Sequence, residues 1–552
     1  MKGDVIDVRA VPKWGGVGRA GRILRLWPWL PLPLGAAYLL LIVAKFNQIV
    51  AALYLNADYA SAPVIGQLFG GAPAHRTVVL GQVGWFSTLM FELATRWLPD
   101  HRQLWEAAPY AMALASVVLI SWGAWKVAGR WAAAITGVLL LCAGPETLSL
   151  LFALNDHSST WFSVALLAAA LVLFEVRPSW LKTWLAVLVA LSVGAVVGAN
   201  TASDLLLPLA GIAPIVIAAG LAWALRPSRA SASACWWVLG TITVAGVVAE
   251  LTRRLMTHEN VVAATGFPHN ILASGEALSA NFKLWWQSVM VLGNGNFFGQ
   301  VLGLTTALEL ICALMALAAV ALIPWLVWRE LAAALPRKAG RPERPSSLSL
   351  RTAWCVFWGS SAVLLSVGYV FTTNPVGLTS DRYLVGVIYA AAALVPLMAG
   401  RRVMARAAVV AGASVFALAG IVSLLDGQVL STGGTSSYSL YNQVARVAAR
   451  AHLSIGYSDY WDAAPLMWAS HFRVRAYPVN ACGSGSLCPF PLHIISSWYQ
   501  PLPHQRTFLI SNPTKPANVS PAPNLGKPTA VYQIGVLTMY VYPYDIASRM
   551  MP

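Results

Sequence analysis

Pro28–Ser61 reads PWLPLPLGAAYLLLIVAKFNQIVAALYLNADYAS, an apolar run broken by one charge, Lys45, before the polar Asn56-Ala-Asp58. A helix needs about 20 predominantly apolar residues to cross a bilayer, and residues 28–54 satisfy that. The residues before it are basic: Lys2, Arg9, Lys13, Arg19, Arg22 and Arg25. The apolar run is too long for the core of a cleaved signal peptide, so it reads as a first span that stays in place behind a cytoplasmic tail, residues 1–27. Asp58 then falls just past the end of that span. The Lys45 ammonium, within the run, can snorkel along its own stem.

Working outward, the whole chain has this character. Of 552 residues, 58% are hydrophobic and 11% charged, with mean hydropathy +0.64, which is membrane composition and not that of a soluble domain. Apolar runs recur at 28–54, 106–125, 131–145, 160–175, 182–199, 205–225, 233–250, 301–328, 353–372, 383–400 and 407–425, about eleven spans, the third short. A further apolar stretch at 284–294 is interrupted by Asn294, Gly295 and Asn296 and reads as an interfacial or re-entrant piece. The 24 Trp and 17 Tyr, many beside these runs, fit aromatic belts at the two interfaces.

The net charge of +16 excludes nothing by itself, but its distribution argues against nucleic acid. With the N-terminus in the cytoplasm, about 21 basic residues fall in the tail and inner loops, against about 7 in the opposite loops before residue 426. The bias is a topology signal. Asp58, Glu92, Glu106, Glu146, Asp156, Asp204, Glu259 and Asp381 fall at or near the opposite, outer side. Acidic residues do not set topology, so their grouping asks for another reason, such as a polar cavity opening outward.

Two outer loops are long, 56–104 and 251–300. Within the first, residues 85–97 carry apolar residues at helical spacing and read as an amphipathic helix in the interface. After residue 425 the chain becomes more polar, with strand-like runs at 472–479, 507–511 and 538–542 and a helical stretch at 440–452. Residues 426–552 are therefore expected to form a small α/β or α+β domain outside the cytosol, following an all-α polytopic domain over 28–425. Cys142, Cys235, Cys312 and Cys355 lie in or beside apolar runs, as small hydrophobes. Cys482 and Cys488 flank a Gly/Ser loop and can form a disulfide in an oxidising compartment, or remain free thiols. There is no Cys/His zinc spacing and no phosphate-binding loop.

Four short motifs carry a resemblance: Asn56-Ala-Asp58, Asn155-Asp156-His157, Ser380-Asp-Arg-Tyr383 and Gly456-Tyr-Ser-Asp-Tyr-Trp461. In layout and in these residues the chain resembles the GT-C superfamily of polytopic membrane glycosyltransferases, especially the bacterial branch similar to protein O-mannosyltransferases and aminoarabinose transferases. The resemblance implies transfer of a sugar from a polyprenyl-phosphate donor to a glycan, lipid or protein acceptor at the outer face of a bacterial inner membrane. It matches Asp58 to the catalytic carboxylate. That residue would act as general base, removing the acceptor hydroxyl proton during one inverting attack on the anomeric carbon. The resemblance matches Asp156 to a second-loop carboxylate that orients the acceptor or joins His157 on a divalent cation; capping the fourth span is its structural alternative, through Asp156 or Ser158. Arg382 and Tyr383 are matched to a pair near the lipid phosphate, where Arg offers a bidentate fork. His75 and His157 are further candidate substrate contacts. With Asp58, Asp156, His258 and Glu259 they are also candidate ligands for a divalent metal, although their spacing is not diagnostic of one; no other cofactor is implied. The family often places two acidic residues where this chain has Asp58-Tyr59. The competing reading is a transporter or lipid-linked-sugar flippase, which would call for charges near the bilayer centre, broken helices and related halves. A third is a non-catalytic receptor or scaffold.

Overall fold

Ten helices among the described residues are long and apolar enough to cross a membrane, from Trp27–Leu53 to Val403–Leu425. The computed structural model describes residues 27–552 apart from 70–75, 82–84, 96, 98–100, 153–156, 177–182, 226–228, 264–270, 336–346, 401, 427–434, 483–484, 516–517 and 551–552. In chain order the helices are α1 (Pro31–Leu53), α2 (Ala57–Phe69), α3 (His101–Ala128), α4 (Arg130–Leu141), α5 (Pro145–Phe152), α6 (Ser159–Val176), α7 (Thr183–Thr201), α8 (Ala213–Leu225), α9 (Arg229–His258), α10 (Gly275–Leu292), α11 (Leu304–Ala334), α12 (Ser347–Phe371), α13 (Val385–Ala399) and α14 (Val403–Leu425). The chain thus has the make-up of a multi-pass membrane protein.

The third apolar run differs from expectation. It is not one short span but two pieces, α4 and α5, bent by 86°. A break inside a span leaves backbone groups that lipid cannot satisfy, so protein must do so. Asn294 donates to the Cys142 carbonyl at 3.0 Å and to the Phe416 carbonyl at 3.2 Å, and the Tyr38 hydroxyl donates to the Ala143 carbonyl. A side chain at Gly144 would sit 2.3 Å from Asn294 Oδ1, so only glycine fits there. Pro145 then opens α5, where its missing N–H costs nothing. The stretch 284–294, expected as an interfacial piece, forms the second half of α10 and the turn that delivers Asn294. Residues 288–292 there are buried.

The first long loop carries helices of its own. Asp58, just past the first span as expected, sits in the first turn of α2. The helix expected over residues 85–97 is present as contiguous turns, π-helical at Trp85–Met90 and α-helical at Phe91–Thr95.

The C-terminal part carries α15 (Thr435–Arg450), α16 (Tyr460–Ala469) and strands β3 (Ile455–Ser458), β4 (Arg475–Ala481), β5 (Leu487–Pro489), β7 (Thr507–Ser511), β8 (Ala530–Ile534) and β9 (Leu537–Tyr542). They form one mixed sheet in the order β5-β4-β3-β7-β9-β8, with β3 parallel to both its neighbours. The β3–α16–β4 segment is a crossover unit, as parallel strands require. A second, three-stranded sheet joins distant parts of the chain. β1 (Val78–Leu80), from the first long loop, pairs with β2 (Val261–Ala263), from the second, and with β6 (Ile494–Ile495) of the C-terminal domain. The three segments expected on one face of the membrane are therefore tied together at one end of the helix bundle.

Candidate functional site

Two polar clusters lie at that end. The first is built on α2. Asn56 precedes the helix and its side-chain oxygen accepts the Asp58 N–H at 2.9 Å, an N-cap that sets the helix start. Asp58 therefore sits among the N–H groups of a helix N-terminus, where negative charge is favoured. Its Oδ1 accepts a hydrogen bond from the Tyr460 hydroxyl at 2.7 Å, across 402 residues of sequence. Tyr460 is the first residue of α16. Asp459, just before it, caps that helix by accepting from the N–H groups of Trp461 and Asp462. The Tyr460 ring stacks on Phe490, centroids 4.5 Å apart and planes within 10°, and lies 6.2 Å from the His493 ring. His493 is buried, and burial pushes its imidazole down to about 4 against a partial opposing pull from Asp58, so it is neutral at pH 7. Ser61, Tyr460, His493 and Trp498 border a cavity of about 10 Å³, room for one water.

The second cluster surrounds Asp204, between α7 and α8, and is buried. Asp204 Oδ2 lies 2.7 Å from His157 Nδ1 and also accepts the Thr160 hydroxyl, while Oδ1 accepts the Leu206 N–H at 2.9 Å. Burial alone would raise this carboxyl. The adjacent imidazole, the Thr160 hydroxyl and the Leu206 N–H together outweigh burial and hold it below the usual carboxylate range. With Asp204 ionised, Nδ1 of His157 is the donor, which directs Nε2 to the far side of the ring. His157 itself has φ +65°, a left-handed conformation uncommon outside glycine. The edge of the His157 ring meets Tyr383 at 5.4 Å, and the Arg382 guanidinium lies 5.4 Å over the Tyr383 ring. Asn200 extends the network, accepting from Ser159 and donating to Thr160 and Ser163. The two spans that begin here, Ser159–Val176 and Leu378–Ala399, are the most enclosed of the ten.

Three of the residues singled out in sequence, His157, Arg382 and Tyr383, thus meet in space. Asp58 lies in the other cluster, and Tyr59 beside it reaches Ser149 of α5 at 3.5 Å. Asp156 and His75 fall outside the described residues. Ser158 Oγ, the alternative cap for the fourth span, is buried without a hydrogen bond. Among the described residues no three His, Cys, Asp or Glu side chains gather as a metal site requires.

Comparison with known proteins returns nothing similar: no family model matches the chain, and neither a curated protein nor a solved structure resembles it. The site must be argued from its own residues.

Sequence reading missed Asp204, Tyr460 and His493 as site residues. Asp204 carried a weak signal, as one of the acidic residues grouped on one side. Tyr460 stood in the quoted Gly456–Trp461 motif, beside a tyrosine with a structural role: Tyr457 is buried in β3 and donates to Asp545 at 2.8 Å. Nothing local marks His493.

A wider groove, about 280 Å³, opens where α1 leaves the bundle. Asn47, Tyr54, Gln103, Glu106, Tyr438 and Trp468 are among its walls. It offers amides, a carboxylate and aromatic rings, and no Lys or Arg.

Proposed function

We propose that this chain is a membrane glycosyltransferase of the GT-C type, moving a sugar from a polyprenyl-phosphate donor to an acceptor hydroxyl at the outer face of a bacterial inner membrane. The observation that carries the reading is the position of Asp58. It is a half-buried carboxylate one short turn beyond a span, held at a helix start and oriented by a phenol. A lipid-borne substrate presents its reacting carbon at that level. Asp58 accepts the acceptor hydroxyl proton while that oxygen bonds to the anomeric carbon, the bond from that carbon to the phosphate oxygen breaks, and the lipid phosphate departs with the electron pair. A phosphate is a good leaving group, so one inverting displacement suffices. Arg382, Tyr383 and His157 form the candidate phosphate end, with Asp204 fixing the imidazole. Asp156 remains the proposed second carboxylate. A divalent cation has no assigned ligands in this reading.

The bent α4–α5 pair favours a second reading, transport or flipping of a lipid-linked sugar, because broken helices recur in transporters. One experiment separates the two. Purified protein in detergent is given radiolabelled polyprenyl-phosphate sugars and membrane acceptors, with Asp58→Asn beside wild type. Transfer by wild type that falls at least 100-fold in a folded Asp58→Asn supports the enzyme. Transfer that survives the substitution removes Asp58 as base. Lipid movement in vesicles without transfer moves the assignment to the transporter.

A further inference from the structure

The Asp58 centre lies on a seam. Its base belongs to α2, in the first long loop, but the Tyr460 hydroxyl that donates to Asp58 Oδ1 belongs to the C-terminal domain. We infer that the C-terminal domain completes the catalytic centre, with Tyr460 as a positioning residue that helps hold the Asp58 carboxylate in its reacting orientation. This inference rests on Asp58 being the base.

Geometry supports it at three levels. At the contact, a carboxylate on one side chain has two free torsions and two equivalent oxygens. A hydroxyl bound to Oδ1 removes part of that freedom. A reacting group misplaced by 1 Å can cost about 100-fold in rate, so the gain from holding it is large. Behind the contact, Tyr460 is itself held. Asp459 caps its helix, Phe490 stacks on its ring, and the His493 ring lies roughly parallel to it at 6.2 Å. A group meant only to fill space would not need its hydroxyl aimed at a partner 402 residues away. At the level of the fold, β6 follows His493 directly and pairs with β1 of the same loop that carries α2, and β1 in turn pairs with β2. The sheet fixes the domain against the loop at the place where the hydrogen bond forms. Met467 and Ala464 of α16 border the same small cavity as Val64 and Ile65 of α2, so the two helices pack directly. A domain that only selected acceptors would dock with its far surface; this one inserts a helix start into the centre.

The test uses the full chain. Tyr460→Phe keeps the ring and its stack on Phe490 and removes only the hydroxyl. The expected result is a fall of about 10- to 100-fold in kcat, with KM for donor and acceptor within about twofold of wild type and an unchanged melting temperature. Replacement of Tyr460 by 3-fluorotyrosine and by 3,5-difluorotyrosine then grades the acidity of the phenol without altering packing. A kcat that changes in step with that acidity is a response a merely structural residue would not give. Wild-type kcat in Tyr460→Phe, with Asp58→Asn inactive, overturns the inference and leaves Asp58 as base. An equal loss in Tyr460→Phe accompanied by a lowered melting temperature, and no trend across the fluorinated series, assigns Tyr460 to docking alone and also overturns it. Activity in Asp58→Asn overturns both readings together.

Discussion

At the residue scale, the two clusters show how differently a carboxylate can be used. Asp58 is half-buried and accepts on Oδ1 from the Tyr460 phenol; Asp204 is buried and accepts from an imidazole, a hydroxyl and a backbone N–H. Removing a charge from a satisfied buried pair leaves the partner stranded, which costs on the order of 3–5 kcal/mol. Asp204→Asn is therefore expected to lower the melting temperature in detergent substantially, whereas Asp58→Asn should not. The pH dependence has a definite sign. A carboxyl whose folded pKa is depressed contributes stability that is present above its unfolded value, near 4, and is lost as pH falls through the lower folded value. The advantage of wild type over Asp204→Asn should thus hold from pH 7 to pH 5 and shrink only below about pH 4; a gap that closes by pH 5 would contradict the assignment. Asp58 was legible in sequence because it directly follows a span. The Asp204 pairing was not, because His157 lies 47 residues away and no local pattern joins them.

At the element scale, short helices do the positioning. α5 exists because Gly144 and Pro145 allow a turn whose freed carbonyls Asn294 and Tyr38 satisfy. Periodicity alone could find the apolar run but not the bend, since the groups that satisfy it come from α1 and from the turn after α10. α16 starts on a tension. Burial, together with the neighbouring Asp462, pushes the Asp459 carboxyl up to about 7. Both side chains are inaccessible to solvent, and Asp462 is held by Tyr441 and Asn512 at 2.6 and 2.7 Å. A carboxyl raised above its unfolded value binds its proton more tightly when folded. Its contribution to stability is full below about pH 4 and is lost as pH rises through about 7. The C-terminal domain should accordingly melt at lower temperature at pH 8 than at pH 5. Asp459→Asn keeps a capping oxygen but cannot ionise, so its melting temperature should vary less over that interval. An unchanged slope in the variant would remove Asp459 as the source.

At the scale of the whole molecule, the two long loops and the C-terminal domain meet at one end of the bundle, as the charge bias of the loops had implied. Cys482 and Cys488 are bridged there, which fits an oxidising compartment and the outward orientation proposed for this end. Intact cells treated with a membrane-impermeant maleimide should label these two cysteines only after reduction, and a Cys482→Ser/Cys488→Ser variant should lose that signal. Labelling that requires opened cells would invert the topology.

The sequence by itself determined ten of the eleven expected apolar spans and their order, the place of the polar domain after residue 425 and the exit position of Asp58. These follow from hydrophobic runs of membrane length and from the distribution of Lys and Arg, both of which are local sums. Tertiary structure alone decided the bend at Gly144, the His157–Asp204 pair and the Tyr460–Asp58 bond. Each depends on satisfying a buried polar group with a partner distant in the chain, and such a partner is chosen by packing, which no window of sequence contains.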